Sequence, residues 1–140
     1  MPVPFTKEWH ENKKYRDIFE KAVTTFGGQY ELLKKTGDVK VSTRAVGYLD
    51  GFVKSAMKQQ GLEINSRKAF NIFCALYEKI WGFEQGKRHL EHWINVRENE
   101  SHPESDELDK GIALGVIAFQ ARKPVGWMSC FDHEDNLKKG

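Results

Sequence analysis

His89 and His92 are the first residues in this chain with types and spacing that could do chemistry, because a separation of three puts both imidazoles near enough on a helix to share a metal ion. Glu84 and Glu91 are close enough in sequence to join them. The stretch lacks HExxH, and it lacks the Glu-x-x-His pair of four-helix di-iron proteins. It therefore reads as solvent-facing histidines beside Lys87 and Arg88, and no metal is expected. His133, set among Asp132, Glu134 and Asp135, reads as part of a solvated tail. The other two histidines are His10 and His102.

Nucleophilic chemistry finds no better footing. Cys74 falls in the most apolar helical stretch, where a thiol stays protonated and inert, and Cys130 has no base at a recognisable spacing. The two do not form CxxC and read as reduced thiols. GxSxG, P-loop and GxGxxG patterns are absent, so no cofactor is expected. Asp50 and Lys54 have the i,i+4 spacing of an ion pair on a solvated helix face.

Nucleic acid would need bases interleaved with aromatics. Lys13-Lys14-Tyr15-Arg16 and Lys87-Arg88-His89, followed by Trp93 and Arg97, supply such mixtures, but Glu11, Asp17, Glu84 and Glu91 dilute both. The formal net charge is only +2, from 22 basic and 20 acidic side chains. It is spread unevenly: residues 1–60 carry 11 basic and 7 acidic groups, residues 61–100 carry 6 and 6, and residues 101–140 carry 5 and 7. A basic front and an acidic rear can attract each other, while a strongly basic binding stripe is missing.

The elements that must position these residues are helical throughout. At 140 residues the chain fits one domain, and 12% aromatic residues provide ample core. Helices are expected near 6–26, 29–35, 42–60, 65–81, 83–99 and 103–122, with a tail at 123–140 packed on them. Thr6 caps the first, and Gly27-Gly28 stops it. Ser42 caps the third, with Val41 and Val46 at staple spacing and Gly61-Leu62 completing a Schellman ending on Met57. Asn65 or Ser66 caps the fourth, which should be deeply buried, and Phe83, Leu90, Trp93 and Ile94 form the inward stripe of the fifth. The sixth is apolar on every side from Ile112 to Phe119, which suggests the centre of the fold. Val39-Lys40-Val41 is the one stretch that could be briefly extended. The result is an all-α, compact, single-domain bundle of about five to six helices.

Four glycines interrupt this pattern. Gly47 and Gly51 in the third helix, and Gly111 and Gly115 in the sixth, each cost about 1 kcal/mol relative to Ala, so something should offset them. Gly111 and Gly115 fall on or beside the stripe of Leu108, Ile112, Val116 and Phe119, where close helix contact accounts for them. Gly47 and Gly51 lie opposite the Leu49 and Phe52 stripe, beside Arg44, Tyr48 and Ser55, and give the third helix a second face of small residues. Another helix of the chain, a second subunit or a ligand could cover that face.

The leading expectation is a non-enzymatic interaction or regulatory module, a homodimer using Arg44, Gly47, Tyr48, Gly51 and Ser55 or the C-terminal aromatics Trp127 and Phe131. The alternative is a small-molecule-binding protein or enzyme with an interhelical pocket lined by Tyr48, Tyr77, Trp81 and Trp93, and a weak nucleic-acid binder stands third. The opening residues lack a charged segment followed by an apolar one, and the longest apolar run is far short of the roughly 20 residues a bilayer requires. A cytoplasmic location without membrane association is expected.

Overall fold

A computed structural model describes residues 6–35, 42–122 and Trp127. Among them the backbone forms five helical rods and no strands, a compact all-α bundle. Among the described residues no helix is long and apolar enough to cross a membrane.

The first rod runs unbroken through α1 (Lys7–Ala22), a π-helical turn (Val23–Gly27) and α2 (Gly28–Lys34). The Thr6 hydroxyl caps it by accepting from Trp9 N at 3.2 Å. Gly27 and Gly28 do not stop it, contrary to the expectation from sequence. Both keep right-handed helical φ, near −61° and −63°. A missing side chain lowers helix propensity without forbidding the helix, and a π turn absorbs the irregularity. Tyr15, Ile18, Ala22, Phe26 and Leu33 stay buried along the whole rod as a result.

Helix α3 (Thr43–Gln59) starts and ends as its residues dictate. The Ser42 hydroxyl accepts from Ala45 N at 3.1 Å. At the other end Gly61 takes φ +72°, with Leu62 N donating to Met57 O at 2.9 Å and Gly61 N to Lys58 O at 3.0 Å, the paired bonds of a Schellman ending. The Ser66 hydroxyl caps α4 (Arg67–Trp81) by accepting from Ala69 N at 3.1 Å. Gly82, at φ +87°, turns the chain into α5 (Phe83–Glu98), and α6 (Ser105–Gln120) follows a short loop containing Pro103. Val39-Lys40-Val41 lies outside the described residues, as does the tail apart from Trp127.

Helix α3, rather than α6, is the centre. Its buried residues run from Thr43 to Met57 on all sides. The four anomalous glycines face one another across the α3–α6 contact, the most extensive in the fold. A Cβ at Gly47 would overlap Leu108 O, one at Gly51 would overlap Ile112 O, and Cβ atoms at Gly111 and Gly115 would overlap Arg44 O and Tyr48 O. Backbone touches backbone, which brings Cα–H groups toward carbonyl oxygens and recovers by close contact what each glycine costs. The second face of α3 is thus closed within the chain. Gly86 does the same on a smaller scale, where a Cβ would come within 2.6 Å of Tyr77 O between α5 and α4.

Two expected burial patterns change. Phe83 is 71% exposed and takes no part in the inward stripe of α5, which is carried by Gly86, Trp93 and Val96. Helix α4 is buried on one side only, leaving Phe70 42% exposed.

Candidate functional site

Two further contacts fix the start of α3. Arg44 meets Glu107 in a fork, Nε to Oε2 at 2.9 Å and Nη2 to Oε1 at 3.0 Å, tying the basic front of the chain to its acidic rear. Thr43 Oγ1 donates to Glu104 Oε1 at 2.8 Å and lies 2.9 Å from His92 Nε2, which is itself 3.1 Å from Glu104 Oε2. Because the Thr43 proton goes to Glu104, His92 Nε2–H is the donor to both groups. The hydroxyl and the carboxylate meet the same ring nitrogen, so the cluster is a clamp between helices, not a nucleophile with its base and orienting acid.

The sequence-based interface residues follow from this. Arg44 is in the fork, Gly47 and Gly51 are covered by α6, Tyr48 is buried and Ser55 is half-buried. Trp127 is fully buried, its indole N–H donating to Ala45 O at 3.0 Å. A homodimer seated on the glycine face is therefore corrected: that surface belongs to α6 of the same chain. Phe131 and Cys130 lie outside the described residues.

The expected pocket residues are drawn into one aromatic chain. Successive ring centroids from Phe119 through Phe52, Phe26, Trp127, Trp81, Tyr77 and Phe73 to Trp93 stand 5.0–6.5 Å apart. Tyr48 touches the chain at Phe26, 6.1 Å away. Tyr48, Tyr77 and Trp81 are core residues, so the four do not converge on one pocket. Trp93 alone among them lines an open depression.

That depression, about 540 Å³, lies where α3, the start of α4 and the end of α5 meet. Lys54, in its lining, leads to a pair that the sequence concealed. Of Asp50 and Lys54, read as a solvated pair, Asp50 is buried and Lys54 half-buried: their side chains are 2% and 14% exposed, with Lys54 Nζ 3.1 Å from Asp50 Oδ1. They are withdrawn from water because α3 is covered by α6 on one side and α5 on the next. Lys54 Nζ lies 5.4 Å from the Trp93 ring centroid, and Arg97 Cζ lies 5.1 Å from it.

The electrostatics are strained. Burial pushes the Asp50 carboxyl above its ordinary value, while the Lys54 ammonium and Arg97 hold it back. Burial likewise lowers the Lys54 ammonium, Asp50 opposes this, and Arg97 and Lys58 add to it. The Tyr77 hydroxyl is raised well above its usual range by burial and then by Asp50 and Cys74. Asp50 Oδ1, Tyr77 Oη, Trp93 Nε1 and Trp81 Nε1 are buried without a hydrogen-bond partner among the described residues, the Lys54 contact to Oδ1 being an ion pair without hydrogen-bond alignment. Buried polar atoms of this kind cost about 1–3 kcal/mol each, and Trp93, the one of the four that lines the depression, makes it a binding-site candidate.

His89 and His92 diverge. His89 packs edge-on against Trp81 at 4.9 Å, and its pKa is lowered to about 4 by burial, then by His92 and Arg88. Among the described residues no three His, Cys, Asp or Glu side chains gather as metal ligands. Burial raises the Cys74 thiol. Tyr15, the aromatic of one basic stretch, is turned inward and donates to Glu63 O at 2.8 Å, leaving it no ring face for a base. A second depression of about 490 Å³, between the π turn, α3 and the end of α6, is floored by Phe52, Val53 and Phe119. Comparison with family models, curated proteins and solved structures gives no match.

Proposed function

We propose that the chain is a non-enzymatic protein-interaction module that forms a homodimer through the outward face of α6. The observation that supports this is the placement of an all-round apolar helix at the edge of the bundle. Its inner side is sealed on α3 by Gly111 and Gly115, while Leu114 and Ile117 on the outer side are 42% and 61% exposed, with Ala113 beside them. An apolar helix face in water is a contact surface in search of a partner.

A second copy fits it by polarity. Helix α6 carries Asp106 and Asp109, with Lys110 beside them, near its start and is followed by Arg122, so a two-fold antiparallel pairing sets Asp106 and Asp109 of each copy toward Arg122 of the other. The same pairing opposes the two helix dipoles, and an isologous contact of this kind closes at a dimer. Sixteen residues span about 24 Å, which places the contact at the small, weak end of stable interfaces.

Sedimentation velocity across a concentration series tests the reading. A monomer–dimer equilibrium is expected for the wild type, and Ile117→Asp should remain monomeric with an unchanged helical circular-dichroism spectrum. A wild type that stays monomeric at roughly 100 μM, where a contact of about 5.5 kcal/mol would be half-formed, overturns it.

A further inference from the structure

We propose that the depression over Lys54, Trp93 and Arg97 binds a small organic monoanion, a carboxylate on an apolar body. The site is separate from the α6 face and does not depend on dimerisation.

The pairing of the charges, which sum to zero over Lys54, Arg97, Asp50 and Glu98, gives the ligand's sign. Two cations, Lys54 and Arg97, stand over one indole ring, and Asp50 behind them is the single carboxylate paired with either. Arg97 makes no ion pair among the described residues. The cation left without an ion pair is thus Arg97, exposed at the mouth, while Lys54 below it is held by Asp50. Glu98 is the one carboxylate among the lining residues, and it pairs with neither cation within 4 Å. Its charge tolerates a single negative group seated on Lys54 and Arg97 but opposes a dianion such as a phosphate monoester.

The walls give the rest of the ligand. Ile64, Phe70 and Ile94 line the depression beside the cations, and Phe70 is 42% exposed, a large apolar side chain left open at the mouth. An apolar body resting on these side chains would cover them while its carboxylate meets the fork of Arg97 and the Lys54 ammonium. A volume of about 540 Å³ lies within the ordinary range for small-molecule sites. The same occupant accounts for the buried pair: Asp50 holds Lys54 in place at the floor of the depression, which a solvated pair would not require.

Phenylbutyrate, phenylbutanol and phenyl phosphate, titrated into the full-length chain and followed by the Trp93 indole N–H resonance, test the proposal. Phenylbutyrate should shift that resonance with a dissociation constant on the order of 1 mM, as befits a fragment of this size. Arg97→Gln, which removes no described ion pair, should weaken it at least about fivefold, and Phe70→Ser should weaken it without unfolding the chain. Ile117→Asp should bind as the wild type does, so that loss of dimerisation and loss of this site are told apart. No shift at about 10 mM phenylbutyrate overturns the site. Equal binding of the neutral alcohol overturns the role of the cations, and tighter binding of phenyl phosphate overturns the assignment to a monoanion.

Discussion

Two neighbouring sides of α3 solve burial in opposite ways. Toward α6 it presents Gly47 and Gly51, and four glycines from two helices interlock until carbonyl oxygens touch Cα atoms. Toward α5 it presents Asp50 and Lys54, an ion pair with a buried carboxylate, beside three polar side chains, those of Tyr77, Trp81 and Trp93, whose buried atoms have no hydrogen-bond partner among the described residues. The first side has no room, and its one charged pair, Arg44 with Glu107, lies half-exposed at its end. The second has charge and an adjoining depression of about 540 Å³. Close contact of bare backbone is a structural solution with one acceptable residue per position, whereas a buried ion pair seldom adds net stability over apolar side chains of similar volume. The difference separates the side that builds the fold from the side where a fold can be put to use.

Substitutions at the glycine side should have the largest effect. Gly51→Leu or Gly115→Leu drives side-chain atoms into a helix backbone that cannot yield as a flexible side chain would, and the loss should exceed about 4 kcal/mol, leaving no cooperative transition in urea. A cooperative unfolding curve near the wild type for either variant would mean that the helices are not locked by these contacts.

On the charged side the expected loss is smaller and recoverable. Lys54→Met strands the Asp50 carboxylate and should cost about 3 kcal/mol, while adding Asp50→Asn should restore at least half of it, because the unpaired charge, not the missing ammonium, carries the cost. Simple additivity of the two substitutions in urea denaturation would contradict this.

The contrast between the two sides was only half legible in the sequence. Ser42, Ser66 and Gly61 announce their helix ends because capping depends on a few neighbouring residues. Gly47, Gly51, Gly111 and Gly115 are visible as anomalies, and their matched i,i+4 spacing on two helices was a signal that one pair could answer the other. Asp50 and Lys54 carried no such signal, since an i,i+4 ion pair reads the same in water and in a core; what buries it is the covering of α3 on adjacent sides. The Gly27-Gly28 reading failed for the converse reason: a local propensity was overruled by Phe26 and Leu33, which need the rod to continue in order to reach the core.

The fork between Arg44 and Glu107 offers a milder probe of the glycine side. It is half-exposed, so Arg44→Ala should cost about 1 kcal/mol and lose much of its effect in high salt, without unlocking the helices beneath it. Gly27→Ala is the control, because nothing lies within 4 Å of a Cβ there and φ is already helical; it should stabilise the chain by about 0.5–1 kcal/mol. Together they test whether a glycine's effect follows its neighbours rather than its residue type.

Acid titration gives the most local test of the comparison. His89 has a folded pKa of about 4 against an ordinary 6.5, so the unfolded chain takes up its proton first. Its contribution to stability is complete above pH 6.5, is lost as pH falls from 6.5 toward 4, and is constant below that. Water partly screens the half-buried ring, and the change should be about 1 kcal/mol. The raised Asp50 carboxyl works in the other direction, since proton uptake there favours the folded chain as pH falls. The difference between wild type and His89→Gln at each pH isolates the histidine from that opposing slope. Because His89 packs on Trp81 at the α4–α5 side, amide exchange should quicken first in α5 while the amides of α3 and α6 around the four glycines stay protected. Equal quickening on both sides would show that α3 transmits the disturbance, and that its two sides are one cooperative unit.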